Sequence, residues 1–297
     1  MALGSFLPLS VPVSSATGVS NKLITRPIPA SGESIPIIGM GSWLTFDVGF
    51  NQHARAGRVK VLEAFFERGG GMIDSSPMYG SSPQVIGYCL QQIANQPNLF
   101  SASKVWIVGK EPGQQQIRSS LQKWQLPRFD LVQIHNLLDW ETHLETLQQA
   151  KAAGQIRYIG VTTSHGRRHQ ELQQVLRTGE FDFVQFTYNI LDREAENELL
   201  PLAQELGVAV IINRPFQRGA LFDRVQGKPL PAIAAEAGCQ NWAQYFLKFI
   251  VSHPAVTCAI PATSQVAHMH ENMGAAYGAL PDPAMRKRMA REFGRLI

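Results

Sequence analysis

The stretch Gly71-Met72-Ile73-Asp74-Ser75-Ser76-Pro77-Met78-Tyr79-Gly80 begins as an apolar strand, ends that strand on a carboxylate and continues into a turn that carries a tyrosine. Other apolar runs of the chain also end on polar or ionisable side chains, at residues 101–106, 131–136 and 185–189. A parallel barrel shows this pattern when its active site lies at the carboxyl-terminal ends of its strands. The pattern therefore predicts an enzyme.

Strand-like and helix-like runs alternate on both sides of this stretch. The predicted strands are residues 37–43, 71–74, 99–104, 131–135, 158–162, 183–186, 208–213 and 256–261. Amphipathic helices are predicted between them, and Gly154, Gly179 and Gly207 stand where three of these helices should stop. Strands that are separated by one helix each must be parallel, and about eight such units close into a (β/α)8 barrel.

We therefore predict an α/β fold, a (β/α)8 TIM barrel with a short N-terminal extension and a C-terminal helix over Pro283–Leu296. A hairpin-like stretch is expected before residue 37, and a longer loop over residues 216–240. The alternative is a doubly wound open sheet. Its nucleotide-binding version would place GxGxxG after a strand, and the sequence contains no such motif there.

The composition indicates one large domain, which we assign to residues 23–297. The chain has 297 residues, of which 44% are hydrophobic and 17% charged, and no break in composition divides it. The net charge of +4 is small and mostly dispersed, so we expect no nucleic-acid partner. The three cysteines have no metal-ligand spacing, and we predict no metal site and interpret Cys89 and Cys258 as core residues.

Residues 1–22 are treated apart, because residues 1–16 are apolar, rich in small side chains and uncharged. Two interpretations stay open for this tail: a remnant of an export signal peptide, or a disordered segment. The compartment is correspondingly left open between cytoplasm and periplasm. Nothing after the tail reaches the ~18 to 20 apolar residues of a membrane span. The sequence does not decide the oligomeric state, and we expect a monomer.

Asp74 and Tyr79 follow the second predicted strand, Lys104 the third and His135 the fourth, so a barrel would bring all four to one rim. Each alone has a structural interpretation, as a turn former, a packed aromatic, a solvated strand end or a core histidine. Their occurrence at consecutive strand ends favours chemistry instead. A tyrosine with a pKa near ~10 is a weak proton donor at neutral pH, and we expect Lys104, held by Asp74, to lower that pKa. His135 could orient a carbonyl oxygen or share in the proton relay.

Over residues 37–277 these motifs resemble the aldo-keto reductase superfamily. In that family the segment like 71–80 carries the catalytic Asp and the Tyr proton donor, and segments like Ser103-Lys104-Val105-Trp106 and Gln133-Ile134-His135 carry the Lys and the His. The resemblance implies a barrel that binds NADPH, or less often NADH, in an extended pose. It also implies hydride transfer to an aldehyde or ketone, with Tyr79 as the proton donor.

The resemblance further implies a set of cofactor-binding residues. Thr162 and Thr163 stand where the family has Ser-Asn for the nicotinamide carboxamide, and Gln185 matches a third residue that holds it. Asn213 stands where many members have an aromatic that stacks on the nicotinamide, a contact that Tyr188 or Phe216 would have to replace. A backbone or side-chain contact to the pyrophosphate is expected from residues 216–221, where Gly219 would allow close approach. The cofactor-binding residues expected here are Pro215, Phe216, Gly219 and Leu221.

The adenosine phosphate is expected near the last barrel helix, at Pro261, Thr263, Ser264, His268 and Asn272. NADPH-binding relatives usually add a Lys or Arg here, where this chain has Ala262, Gln265 and His268. NADP(H) is the favoured cofactor, and NAD(H) stays open.

Aromatic residues near the rim, Trp43, Phe46 and Trp106, predict an apolar wall for a small-molecule carbonyl substrate. The connection after His135 is short, so we expect an open and tolerant site. Two other functions stay open. One is an aldolase-type barrel in which Lys104 or Lys110 forms a Schiff base. The other is a non-catalytic barrel that senses a nucleotide and docks on a partner.

Overall fold

Eight parallel strands form a barrel in the computed structural model, which describes residues 22–166 and 168–297. A two-stranded antiparallel hairpin, of strands β1 and β2, precedes them. The strands are β1 (Thr25–Pro27), β2 (Ser34–Pro36), β3 (Met40–Gly41), β4 (Met72–Asp74), β5 (Phe100–Val105), β6 (Phe129–His135), β7 (Ile156–Thr162), β8 (Phe183–Thr187), β9 (Ala209–Asn213) and β10 (Cys258–Ala259). Strands β3 to β10 pair in chain order, and parallel bridges from Ile38 to Ala259 and from Gly41 to Ala262 close the sheet. The predicted TIM barrel is thereby confirmed.

Helices surround the strands. They are α1 (Gln52–Glu67), α2 (Ser82–Gln92), α3 (Lys110–Trp124), α4 (Trp140–Ala152), α5 (His169–Leu176), α6 (Leu199–Glu205), α7 (Ala220–Val225), α8 (Ile233–Glu236), α9 (Trp242–Val251), α10 (Val266–Gly274) and α11 (Pro283–Leu296). Several begin on a side chain that accepts a backbone N–H of the first turn, as Asn51 does at 2.9 Å in α1 and Asp282 at 2.7 Å in α11. The predicted stops at Gly154, Gly179 and Gly207 all have positive φ, between 65° and 77°.

The N-terminal hairpin lies against the amino-terminal ends of the strands. Ile28 and Ile35 belong to one buried cluster with Phe100, Phe183 and other residues of the barrel interior. The Arg26 guanidinium donates to backbone carbonyls of residues 251–256, just after α9, at 2.6 to 2.9 Å. The opposite, carboxyl-terminal end of the barrel is therefore the end left for a site.

The first and last barrel strands are shorter than predicted. The predicted strand 37–43 is regular only over β3, where the neighbouring backbones approach closely: a Cβ on Gly39 would lie 2.8 Å from the Met72 carbonyl oxygen, and one on Gly41 3.0 Å from the Ile260 carbonyl oxygen. The predicted strand 256–261 is regular only over β10, and Pro261, which has no N–H to donate, lies just beyond it.

Two predicted connections also differ. The helix predicted over 194–206 is a 3₁₀ turn, Glu194–Glu196, followed by α6, because a proline at residue 201 would clash with a helical carbonyl four residues earlier. The segment 216–240, predicted as a loop, contains α7 and α8.

Cys89 and Cys258 are fully buried and free, which confirms that they are core residues. In the ranges given above, no helix combines the length and the hydropathy that a bilayer span would require. The interpretations of the tail 1–22 concern residues that, apart from Lys22, lie outside those ranges.

Candidate active site

A cavity of about 540 Å³ opens at the carboxyl-terminal ends of the barrel strands. Its wall takes residues from the ends of most strands, including Asp74 and Tyr79 after β4, His135 at the end of β6, Asn213 at the end of β9 and Ala262 after β10. The cavity therefore crosses the mouth of the barrel from the first strands to the last. The predicted convergence of side chains from separate strands occurs at this cavity.

Asp74 and Lys104 form a buried ion pair beside the cavity. The Lys104 Nζ lies 2.5 Å from Asp74 Oδ2 and donates to the Ser75 carbonyl oxygen at 2.9 Å. Both side chains are at most 3% exposed. Because β4 and β5 pair with Asp74 opposite Ala102, Lys104 lies two residues further along β5 and points to the same side of the sheet.

The second carboxylate oxygen of Asp74 accepts two amide hydrogen bonds. Gln133 and Gln185 each donate from Nε2 to Asp74 Oδ1 at 3.0 Å. Gln185 was expected at the site, but Gln133 had been assigned no role. The signal was present in the sequence, because Gln133 precedes His135 by two residues in a strand and therefore lies on the same face.

Tyr79 lies beside this pair, with the Lys104 ammonium 5.3 Å from its ring centroid. The lowering by Lys104 is only one of several contributions to the pKa of Tyr79. Burial, the largest effect, and the charge of Asp74 raise the pKa of Tyr79, whereas the charges of Lys104 and Arg214 lower it, and the net shift is upward. The prediction of a lowered Tyr79 pKa is therefore wrong, and the phenol holds its proton more firmly than a free tyrosine.

His135 faces Tyr79 edge to face, with ring centroids 6.1 Å apart. Burial, and then the nearby positive charge of Lys104, lower the pKa of His135 to about 3, so the imidazole is neutral at ordinary pH. Its Nδ1 lies 3.1 Å from the hydroxyl of Ser76, a fully buried residue that was quoted in the motif without a role. The Ser76 hydroxyl oxygen also accepts the Met78 N–H at 3.3 Å.

The residues expected near a nicotinamide form a connected polar group. The Thr162 hydroxyl donates to Gln185 Oε1 at 3.2 Å, and the Asn213 amide donates to the Thr163 carbonyl at 2.8 Å. Gln185 and Asn213 line the cavity, as do Pro215 and Gly219 further along the loop after β9. Thr162 and Thr163 are buried behind them.

Two expected contacts are contradicted by burial. Tyr188 is fully buried, and its hydroxyl is hydrogen-bonded to Glu196 and Arg286. Its ring therefore cannot stack on a nicotinamide. Phe216 does line the cavity. The Phe46 side chain is fully buried in the core and offers no surface to a ligand. The Leu221 side chain is also buried, so a pyrophosphate contact from this residue would have to come from its backbone.

The residues expected at the adenosine phosphate surround the start of α10. The Thr263 hydroxyl accepts the Gln265 N–H at 3.1 Å, His268 is exposed, and Ser264 is half-buried. Pro261 precedes them and is buried. Asn272 is 2% exposed.

The expected aromatic wall is partly present. Trp43 lines the cavity, and Trp106 lies outside the lining with its ring 6.4 Å from that of His135. Two arginines that had been assigned no role also line the cavity. The Arg218 guanidinium lies 4.3 Å from the Trp43 ring centroid, and Arg214 lies close enough to Tyr79 to affect its titration. A neutral imidazole, a protonated phenol and a buried ion pair thus meet at one cavity, an arrangement that can donate a proton to an oxygen atom of a bound ligand.

Comparison with known proteins identifies the family of this chain. Residues 37–287 match the model of the aldo/keto reductase family. The chain is 28% identical over 251 residues to methylglyoxal reductase YeaE of Escherichia coli (strain K12), covering 82% of this chain and 87% of that protein. It is 26% identical over 193 residues to an NADH-specific methylglyoxal reductase of the same strain, covering 54% of this chain and 56% of that protein.

Among solved structures, an aldo-keto reductase from Klebsiella pneumoniae in complex with NADPH superposes with a TM-score of 0.75 at 22% identity. The superposition covers 91% of this chain and 96% of that one, and it supports the barrel fold.

Proposed function

This chain belongs to the aldo/keto reductase family, and on that premise we propose that it is an NAD(P)H-dependent oxidoreductase that reduces aldehydes or ketones to alcohols with Tyr79 as the proton donor. The observation that carries the proposal is the meeting of Tyr79, His135 and the Lys104–Asp74 pair at one cavity. The substrate is a small carbonyl compound that reaches this cavity from the open end of the barrel.

The residues present fit an extended nicotinamide dinucleotide. The cavity runs from Asp74 to Ala262, across the barrel mouth. At the proposed nicotinamide end, the buried Thr163 hydroxyl has no hydrogen-bond partner in the part of the chain that is described. Gly219, with φ of 98° and open space around it, would let phosphates approach the backbone. When bound, the dinucleotide supplies the hydride.

We propose NADP(H) as the favoured cofactor, with NAD(H) as the alternative. The segment 261–272 carries no lysine or arginine, so a 2′-phosphate would be held by neutral side chains such as Thr263, Ser264 and His268. The absence of charge-assisted contacts weakens discrimination between the two dinucleotides. The two E. coli relatives include one whose name specifies NADH, which supports keeping both.

In the proposed reaction Tyr79 holds the transferred proton. Because burial raises its pKa, the phenol is protonated throughout the neutral range. As negative charge develops on the carbonyl oxygen, that proton moves to the oxygen, and the nearby Lys104 ammonium stabilises the phenolate left behind. Asp74 fixes Lys104, and the two glutamines fix Asp74.

His135 is proposed to orient the carbonyl through Nε2–H, and Ser76 sets that tautomer. The Ser76 oxygen accepts the Met78 N–H, and among the described residues His135 Nδ1 is the acceptor within reach of the Ser76 hydrogen, so we assign the hydroxyl as the donor. The imidazole proton must then be on Nε2. In the other tautomer the Ser76 hydrogen would be buried without an acceptor, which is costly.

Replacing Ser76 by alanine should lower kcat for carbonyl reduction by about tenfold, because His135 would then exchange between tautomers and lose its fixed orientation. Steady-state kinetics at saturating cofactor would measure this, and Ser76→Thr should restore most of the rate. Ser82→Ala is the matched control, since Ser82 is equally buried and its hydroxyl donates at 3.1 Å to the Ser42 carbonyl, away from His135. An unchanged kcat in Ser76→Ala would contradict this role.

The pH dependence of kcat/KM should show no step caused by protonation of His135. A folded pKa of about 3 keeps His135 neutral, so kcat/KM for reduction should be constant within about twofold between pH 8 and pH 5. Stability behaves differently. As the pH falls below 6.5, the unfolded chain binds a proton that folded His135 does not, so the free energy of unfolding should decrease between pH 6.5 and 3. A one-proton loss of kcat/KM near pH 6.5 would show that His135 titrates normally.

The proposed function is tested by the loss of reduced-nicotinamide absorbance with NADPH and with NADH. Methylglyoxal belongs in the substrate panel because two relatives carry its name, together with aromatic and aliphatic aldehydes. Aldehyde-dependent oxidation supports the proposal. Cofactor binding without turnover would instead support the non-catalytic sensing barrel.

The Schiff-base alternative has little support from the geometry. The Lys104 amine is buried and paired with Asp74, and the Lys110 amine is paired at 2.7 Å with Glu145 on the surface. A Schiff base needs an accessible, neutral amine.

A further inference from the structure

Arg214 lies at the junction of two cavities at the carboxyl-terminal end of the barrel. It lines the main cavity and also a second one of about 450 Å³, whose wall includes Asp192, Glu194 and His165. Its backbone adopts a left-handed conformation with φ of 49°, and its carbonyl accepts the Gln217 N–H at 3.0 Å. A non-glycine residue held in this conformation is uncommon and is found preferentially at functional sites.

The Arg214 guanidinium is half-buried, yet it makes no hydrogen bond or ion pair with any residue in 22–166 or 168–297. The other arginines of these ranges that are not exposed all donate to a carboxylate or a backbone carbonyl. They are Arg26, Arg55, Arg58, Arg157, Arg168 and Arg286. A partly buried cation without a partner is costly, and burial accordingly lowers the pKa of Arg214. The position therefore fits a guanidinium whose partner is a ligand.

Charges on the main cavity wall favour an anion. Its carboxylate, Asp74, is already paired with Lys104, whereas Arg214 and Arg218 both contribute positive charge. The second cavity contributes Asp192, which interacts with Arg214 electrostatically without forming an ion pair in the described chain. A ligand carboxylate that entered from the main cavity would therefore reach Arg214 before it approached Asp192, which lines the second cavity.

The position of Arg214 relative to Tyr79 indicates which anion would bind to Arg214. Arg214 and Tyr79 line the same cavity, and the Arg214 charge acts on the Tyr79 phenol, the group that meets the substrate carbonyl in the proposed reaction. In a nicotinamide dinucleotide a ribose separates the ring from the pyrophosphate, so the anion nearest the reacting carbonyl is a substituent of the substrate. Arg218, stacked over Trp43 and next to Gly219, is the arginine better placed for phosphates.

We propose that Arg214 binds a carboxylate of the substrate and makes the enzyme selective for carbonyl compounds that carry an acid group. The inference rests on the proposed function and adds the class of substrate: oxo acids, including aldehydes that bear a carboxylate a few bonds away. The planar fork of the guanidinium can bind the carboxylate in bidentate geometry and so orient the carbonyl towards Tyr79 and His135.

The test compares matched substrates on wild type, Arg214→Met and Arg214→Lys. The pairs are para-carboxybenzaldehyde with para-methylbenzaldehyde, and succinic semialdehyde with pentanal. For each enzyme kcat/KM is measured from NADPH oxidation, and the Kd of NADPH is measured from quenching of protein fluorescence. Arg218→Met is the matched control, because it removes the other arginine of the same cavity wall.

The wild type should prefer the carboxylated member of at least one pair by about tenfold or more. Arg214→Met should lower kcat/KM for that member by about 10- to 100-fold, leave the uncharged member within about threefold and leave the Kd of NADPH unchanged. Arg214→Lys should retain part of the preference. Arg218→Met should change both members of a pair equally.

Two results would overturn the inference while leaving the proposed function intact: activity on uncharged aldehydes with no carboxylate preference, or an Arg214→Met variant whose main defect is a weaker Kd for NADPH. The second result would assign Arg214 to the cofactor phosphates. Inactivity of the wild type towards all four aldehydes, with NADPH bound, would overturn both proposals.

Discussion

Tyr79→Phe is expected to lower kcat for aldehyde reduction by about 10²- to 10⁴-fold, which is the usual contribution of a positioned proton donor. The phenylalanine ring retains the packing against His135 but removes the only atom of this side chain that can donate a proton. Cofactor binding should be unaffected, because the proposed contacts to the dinucleotide come from other residues. Steady-state kinetics with NADPH and a saturating aldehyde, together with the Kd of NADPH, would measure both quantities.

Tyr277→Phe is the matched control for this substitution. Its hydroxyl donates to the Arg68 carbonyl at 2.9 Å, outside the cavity, so its loss should leave kcat unchanged within about twofold. A Tyr79→Phe enzyme that kept more than about a tenth of the wild-type kcat would show that another group donates the proton. The proposed role of Tyr79 would then have to be abandoned, even if the reductase activity itself were established.

Lys104→Met is expected to reduce the free energy of unfolding by about 3–5 kcal/mol, because it leaves the Asp74 carboxylate buried without its cation. The pair is almost fully removed from water, with side chains 0% and 3% exposed. The two glutamine amides that remain on Asp74 can offset only part of the lost interaction. Urea unfolding followed by circular dichroism would give the change. Reductase activity should fall as well, since the phenolate of Tyr79 would lose its neighbouring ammonium.

The structure supplies two comparisons for the Lys104 variant. Lys110→Met breaks a pair with Glu145 of similar length, 2.7 Å, whose side chains are 39% and 58% exposed, and it should cost less than about 1 kcal/mol. In the double variant Asp74→Asn/Lys104→Met the uncompensated charge is gone, so stability should recover partly. If Lys104→Met were no more destabilising than Lys110→Met, Asp74 could not be a buried carboxylate that depends on Lys104.

Much of the site was predictable because parallel strands align their carboxyl-terminal ends at one rim. Asp74, Lys104 and His135 needed only the correct assignment of three strands to be grouped, and the strands were recognisable from their apolar runs. Gln133 obeys the same rule and was overlooked, although its spacing from His135 places both on one face.

The corrections have a common physical origin in solvent exclusion. Tyr188 and Phe46 carry the residue types expected at a ligand site, but both are enclosed by packing that sequence spacing does not encode. The pKa of Tyr79 was predicted from its charged neighbour alone, whereas burial acts in the opposite direction and is larger. Exposure is a property of the whole molecule, so local patterns do not determine it.

The sequence by itself determined the barrel, the rim at which the candidate site lies and the residues that end its strands, because these follow from the alternation of apolar strands and amphipathic helices. Only the tertiary structure decided how those residues act on one another. The hydrogen bond between Ser76 and His135, the two amides on Asp74 and the position of the Arg214 guanidinium, which has no partner in the described part of the chain, each depend on distances across separate strands and on the exclusion of water. Such contacts are set by packing, and packing is decided by all the strands together.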